Sequence, residues 1–459
     1  MCVSGHIQTQ CVHFFAFVFA FFVVQEQKGM TITVILVWLV PLMVVAVLHA
    51  RYAPRGTPGV RKCVHKLRRT RGRWLWRGGL ALAVLGAVRT AADILALHVQ
   101  RAPTGLTVPV DVHPLIVHGR AAPTWFHHFN PSVASVPSAN GTSQLLHVAA
   151  VREASLHNCP AYVAWLNPLR FLHVSSRIVL AVAEPGAGVG GPFRACSVLE
   201  KRERTPHTLY QGIDDARLFV YSSNGVPQLG ATIVINNHMF VSRFDVHVRS
   251  SSDNGEIAEC SIRETHRAAV HVAGTPRGTK EKNWMHVPDS GAVPRFVQRL
   301  NPLTVVALDL ASGEAAVVSR APVRTCVPRG LRGSTNLLPH PTRAGVFIGL
   351  AHEKVVRYPP IVIAFFTTRV VAVEAVSGDD AQQQEDEGGY RLIGMSSAFR
   401  LPAETHATTA HRIQYPMSLA YADSTRATIS IAMGYMDCTA HTLDINTTDL
   451  LSLLQPLDC

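Results

Sequence analysis

The chain has no Cys-x-x-Cys pair and no Cys/His cluster at metal-ligand spacing, although its 459 residues include nine cysteines and 23 histidines. That excludes the common structural zinc modules, and no resident metal or cofactor is expected. Gly-x-Ser-x-Gly, Walker A and Gly-x-Gly-x-x-Gly segments in a fitting context are also missing, which removes nucleophile-elbow hydrolases, P-loop NTPases and dinucleotide-binding domains from consideration. From residue 103 onward no long helical period is found.

A basic folded domain is lacking too. The net charge is +12, but residues 1–102 carry 13 Lys/Arg against 2 Asp/Glu, while the remainder carries 30 against 29. The basicity therefore belongs to the N-terminal segment. A nucleic-acid partner, which needs a basic face on the folded part, is not expected.

That N-terminal segment is mostly apolar. Residues 12–24 are apolar but short, whereas residues 31–50 form twenty nearly uncharged positions, about the length that crosses a bilayer core. A basic loop, 51–77, follows and should stay cytoplasmic. Residues 78–99 form a second, weaker apolar stretch in which Arg89 and Asp93 sit four apart and can pair on one helix face. If both stretches span, the rest of the chain is delivered to the lumen; if only the first spans, it stays cytoplasmic. An amphipathic helix on the membrane surface is the other reading of 78–99. Two acceptor tripeptides, Asn140-Gly141-Thr142 and Asn446-Thr447-Thr448, favour the lumen. Six cysteines (Cys159, Cys196, Cys260, Cys326, Cys438, Cys459) lie beyond the anchor, an even number that permits disulfides without selecting a pairing. The expectation is a membrane-anchoring region, 1–102, and a domain, 103–459, held in the lumen of the endoplasmic reticulum or Golgi.

The domain is built from short runs rich in Val, Ile, Phe and Thr, separated by Gly, Pro, Asn, Asp and Ser. Residues 143–151, 176–184, 216–223, 230–237, 238–248, 304–310, 314–320, 345–353, 360–376 and 427–435 are examples. Strand-length runs with turn punctuation imply an all-β fold, as a sandwich, a barrel or a propeller. The acidic, Gln-rich segment 377–389 reads as a solvated insertion between two strands.

Four polar segments interrupt this apolar frame. In Gly212–Arg217, Asp214 and Asp215 are adjacent and Arg217 follows. Like-charged neighbours push one carboxyl upward while a cation holds the other ionised, the division of roles that acid–base sugar chemistry uses. The plainer reading is a turn before a strand. Lys282, Asn283 and Trp284 combine a cation, an amide and a flat aromatic that could stack on a sugar ring; a charged loop with one packed Trp is the alternative. Arg332, Ser334, Thr335 and Asn336 precede a strand ending in His352-Glu353, and Asp437 and His441 follow a late apolar strand.

Taken in order, these segments resemble the five-bladed β-propeller superfamily that contains the β-mannoside phosphorylases (glycoside hydrolase family 130) and related mannosyltransferases. Phe129-Asn130-Pro131-Ser132 with Arg152, the Gly-x-x-Asp-Ala-Arg segment at 212–217, Glu281–Trp284, Arg332–Asn336 with Gly349–Glu353, and Gly434–Cys438 carry the resemblance, which spans about 125–445. It implies a five-bladed propeller behind N-terminal anchor helices, with one motif per blade converging on a central pocket. It implies Asp215 as the catalytic carboxylate and Asp214, Arg217, Lys282, Asn283, Trp284, Arg332, Ser334, Thr335, His352 and Asp437 as ligands of sugar or phosphate. The co-substrate would be a nucleotide-sugar or phosphate, and the partners a sugar donor and a carbohydrate acceptor. Three positions depart from the family pattern: Asp214 replaces Glu, Ala216 replaces Pro, and Ala351 replaces the Gly before the late His. They leave Asp215 in place. An inactive, glycan-binding propeller is the reading from another class.

Overall fold

The structure, a computed structural model, describes residues 106, 108–119, 127–137, 145–154, 174–184, 186–200, 210–235, 238–250, 256–276, 282–288, 291–357, 363–376, 389–402, 414–435 and 439–457. The expected spans 31–50 and 78–99, the loop 51–77, the acidic insertion 377–388, Asn140 and Asp437 lie outside the described residues, as does the side chain of Asp214.

Two short strands, β1 (Asp111–Pro114) and β2 (Val117–His118), come first. Antiparallel units then follow one another along the chain. The first is β3 (His127–Pro137), β4 (Leu145–Ala154), β5 (Val174–Ala183) and β6 (Phe193–Leu199). The second is β7 (Tyr210–Ser223), β8 (Val226–Ile235), β9 (His238–Ser250) and β10 (Ile257–Ala269). A short strand, β11 (His271–Val272), pairs parallel with the last strand of the third unit, β12 (Met285–Val287), β13 (Arg295–Leu300), β14 (Leu303–Leu308) and β15 (Glu314–Arg320). In the fourth, β16 (Leu331–Gly333) and β17 (Leu338–Pro339) both pair with β18 (Val346–Arg357), followed by β19 (Ile363–Ala375) and β20 (Tyr390–Ser396). The fifth is β21 (Gln414–Tyr421), β22 (Thr428–Tyr435) and β23 (Thr439–Asn446). A six-residue helix, α1 (Thr447–Ser452), and β24 (Leu454–Pro456) complete the order, β24 pairing with β20. The described part is nearly all β, as expected.

The fifth unit borrows its outer strand from the start of the domain: β1 pairs antiparallel with β23, Asp111 opposite Asp444. Three residues on, β2 pairs parallel with β6 of the first unit. The segment 111–118 thus ties the last unit to the first.

Five apolar clusters lie between successive units. Ile178 and Leu180 meet Ile213 and Ile233 between the first and second. Phe219 and Val241 meet Trp284 and Phe296 between the second and third. Met285 and Val297 meet Phe347 and Val371 between the third and fourth. Ile348 and Val370 meet Leu419 and Ile431 between the fourth and fifth. Ala420, Ala432 and Ala440 meet Val133, Ala149 and Val151 between the fifth and first. Packing each sheet on the next, and the fifth on the first, gives a closed, propeller-like ring.

Sequence pattern follows position in this ring. β22 lies between neighbours on both faces, and Ile429–Gly434 are buried without a break, the continuous run expected of a strand covered on both sides. β10 is an outer strand and carries Arg263, Glu264, His266 and Arg267 on a largely solvated edge, where charge discourages pairing with other chains. Cys196 of β6 and Cys260 of β10 form a disulfide across these outer strands, Cα–Cα 5.1 Å. Cys326 is in a second disulfide whose partner lies outside the described residues.

Candidate active site

The Gly212–Arg217 segment is part of β7 and is not a turn before it. Ile213 faces Ile235 on β8, but Ala216 faces Ile233, so the strand carries one extra residue here. Such a bulge re-aims side chains without ending the pairing. It is what lets two acidic residues sit within a strand that a simple alternation would not accommodate. Gly212 has φ +156°, and a Cβ there would lie 2.5 Å from the Ser176 carbonyl oxygen. Only glycine fits where β7 comes against β5.

Asp215 is held from two sides. Its Oδ1 accepts a hydrogen bond from Asn130 Nδ2 at 3.1 Å and lies 3.9 Å from the Arg152 guanidinium. Arg152 is fixed in turn: its Nε donates to Ser176 Oγ at 2.8 Å, and that hydroxyl donates to the Ile213 carbonyl at 2.6 Å. Asn130 is buried with φ +48°, a left-handed conformation that asparagine tolerates better than most residues and that concentrates at functional sites. It leans on Gly434, where a Cβ would come within 1.9 Å of Asn130 Oδ1.

Gly434 pairs across β21–β22 with Tyr415, which carries the contacts around to Arg217. The buried Arg217 guanidinium donates to Tyr415 Oη at 2.9 Å, to Asn283 Oδ1 at 3.2 Å and to the Met417 carbonyl at 3.5 Å. Tyr415 itself donates to Asn283 Oδ1. Asn283, like Asn130, is buried with positive φ, +65°. The Arg217 guanidinium carbon also lies 5.4 Å from the centre of the Tyr415 ring, close enough for a cation–π contribution.

His352 forms the third part. It is 3% exposed, and its Nδ1 is 2.6 Å from Ser334 Oγ. Its ring meets Tyr415 edge-on at 5.1 Å and Phe366 at 5.7 Å. Burial, then the positive charges of Arg217, Arg332 and Lys282, push its pKa down to about 3. At neutral pH it is an uncharged hydrogen-bonding group among cations. Lys354 is shifted down by burial and by the same Lys282 and Arg332. Four cations therefore act on one small region, and an anion entering it would relieve their mutual repulsion.

The structure brings together Asp215, Arg217, Lys282, Asn283, Arg332, Ser334 and His352 from the second, third and fourth units, with Tyr415 supplied by the fifth. Lys282 and Arg332 are exposed at its edge. Thr335 is close by but turned to the backbone, donating to the Asn336 carbonyl and accepting from Leu350 N. Trp284 is corrected: it is 2% exposed and packs with Phe296 between the second and third units, so it offers no face to a sugar. Its flat indole serves the core because the chain at Asn283 turns the amide inward to Arg217 and the next side chain away. The sequence reading did not name Asn130, Arg152, Tyr415 or Lys354 as site residues, although Asn130 and Arg152 stand in its motifs and Lys354 directly follows one. The usable signal was a polar side chain at the end of an apolar strand. Among the described residues no group of three His, Cys, Asp or Glu could hold a metal ion.

No protein-family model and no curated protein matches the chain. Solved structures do. It is similar to MPT-1, a GDP-Man-dependent mannosyltransferase from Leishmania mexicana, at 12% identity over 73% of this chain and 89% of that one, TM-score 0.40. It is similar to MPT-4, a mannose phosphorylase from Leishmania mexicana in complex with phosphate ion, at 10% identity over 80% and 96%, TM-score 0.34. It is also similar to the β-1,2-mannobiose phosphorylase from Listeria innocua, at 12% identity over 73% and 94%, TM-score 0.39. These are the kinds of protein that the ordered motifs resemble.

Proposed function

We propose that this chain is a membrane-anchored glycosyltransferase of the secretory pathway, built on a five-bladed β-propeller, that transfers mannose or a similar sugar with inversion from a nucleotide-sugar to a glycan acceptor. The observation that carries the reading is the pairing of one positioned carboxylate with a separate cluster of cations around a neutral histidine. In the proposed reaction Asp215 accepts the proton of the acceptor hydroxyl as that oxygen attacks the anomeric carbon. The bond to the donor phosphate breaks on the opposite face. Arg217, Arg332, Lys282 and Lys354 stabilise the charge that develops on the departing phosphate, and His352 donates or accepts a hydrogen bond without adding charge. The disulfides at Cys196–Cys260 and at Cys326 support a lumenal domain, because such bonds persist in oxidising compartments.

A second reading uses the same cation cluster for inorganic phosphate. Asp215 would then assist protonation of a glycosidic oxygen while phosphate attacks. One experiment separates the two. The purified full chain is given nucleotide-sugars without phosphate, and oligomannosides with and without phosphate. Sugar transfer from the nucleotide donor supports the first reading; cleavage that requires phosphate supports the second. Asp215→Asn should reduce either activity by roughly 10²–10⁴-fold, the range for a general acid or base. Full activity of that variant would end the catalytic assignment.

A further inference from the structure

We propose that Asn446 is an N-glycosylation acceptor, its glycan projecting from the end of the fifth sheet. The proposal rests on the lumenal placement argued above. Asn446 ends β23, opposite Thr428, and is extended at φ −61°, ψ 132°. Thr447 is buried: its N–H donates to the Ala427 carbonyl at 2.8 Å and its hydroxyl to the Arg426 carbonyl at 2.7 Å. With the middle residue pinned inward, Asn446 and Thr448 are both exposed. The acceptor amide and the hydroxyl of the Asn-x-Thr tripeptide thus face solvent together. The contrast is Asn130-Pro131-Ser132, where proline occupies the middle position and the asparagine is buried against Asp215.

The side chain of Asn446 already has a structural role that glycosylation leaves intact. Its Oδ1 caps α1 by accepting from Thr448 N at 2.8 Å. The reacting atom is the other one, Nδ2. It attacks the anomeric carbon of an oligosaccharide carried on a lipid pyrophosphate; the carbon–oxygen bond to pyrophosphate breaks, the lipid pyrophosphate leaves with the electron pair, and one Nδ2 proton is released. The product keeps the amide carbonyl, so the cap and the sugar coexist.

The test is peptide mapping of the full chain purified from secretory membranes, after peptide-N-glycosidase treatment in heavy-oxygen water. The expected result is aspartate carrying the heavy-oxygen label at position 446. Thr448→Ala should abolish the label while leaving the backbone N–H that the cap uses. Asn446→Asp should abolish it while keeping an oxygen at the cap, with an unchanged unfolding midpoint. An unlabelled Asn446 overturns the proposal. If Asn140 is labelled in the same digest, or Cys196 and Cys260 resist alkylation, the lumenal reading survives that failure; if Asn140 is bare and both thiols alkylate, it falls as well.

Discussion

Two buried imidazoles make this fold acid-sensitive over a defined window. His286 is 6% exposed; its ring stacks on Phe219 at 5.0 Å and meets the edge of Phe296 at 5.4 Å, and its Nε2 has no hydrogen-bond partner. Burial pushes its pKa down to about 3, the same value as His352. The unfolded chain takes up a proton on each ring near the ordinary pKa of about 6.5, while the folded chain refuses it until about pH 3. Their neutral forms therefore carry full stability above about 6.5, and stability is lost as pH falls below that, by about 1.4 kcal/mol per unit for each ring. Between pH 8 and pH 5 the expected loss is about 2 kcal/mol per ring, about 4 kcal/mol for both, a large part of the 5–15 kcal/mol typical of a domain. His286→Phe isolates one half of this. The aromatic contacts stay, the unpartnered nitrogen goes, and the adjoining small cavity lined by Thr232, Trp284 and Phe296 receives the extra carbon. Urea unfolding followed by tryptophan fluorescence at pH 8, 7, 6 and 5 should give the variant a stability similar to the parent at pH 8 and about 2 kcal/mol above it at pH 5. Equal pH slopes in the two proteins would refute the reasoning.

Other outcomes follow from the same contacts. Gly434→Ala puts a methyl within 1.9 Å of Asn130 Oδ1; the loss of about 1–3 kcal/mol usual for overpacking should appear in urea titration, together with a fall in kcat as Asn130 leaves Asp215. Arg332→Met removes an exposed cation from the pocket edge, so KM for the anionic substrate should rise roughly ten-fold with the unfolding midpoint unchanged; a kcat effect alone would contradict a binding role. Replacing Cys196 and Cys260 by Ser opens a bridge of sequence separation 64, and the cost should be about 2–5 kcal/mol in thermal or urea unfolding.

The fold was legible where strands are covered on both faces. Runs such as 304–310 and 427–435 stand out as apolar, and they coincide closely with β14 and β22. Outer strands were harder: β10 mixes Glu259, Arg263, Glu264 and Arg267 with few apolar residues because one of its edges is solvated. At the site, Asp215 and Arg217 could be picked out because charge inside an apolar frame needs a reason. The bulge that makes room for Asp214 and Asp215 leaves no local mark, since it is a matter of register against β8. Tyr415 was hidden for a related reason. A tyrosine near the start of an apolar strand looks like core, and only the approach of Arg217, 198 positions away in sequence, makes it a polar hub. Trp284 misled in the opposite sense, since aromatic flatness serves a core as well as a sugar.

The strand borrowed from the start of the domain has a consequence for how the protein is made and trimmed. β23 cannot receive β1 until nearly the whole domain has been synthesised, because Asp111 waits for Asp444. The earliest segment stays unsealed while the intervening 300 or so positions, on the order of a domain's length, are added. Proteolysis inherits the same asymmetry. A cut before residue 111 would leave the ring latched, whereas a cut between β2 and β3 would break the covalent link between the latch and β3, leaving only its pairing with β6. Any trimmed form that keeps the ring closed should therefore begin upstream of Asp111.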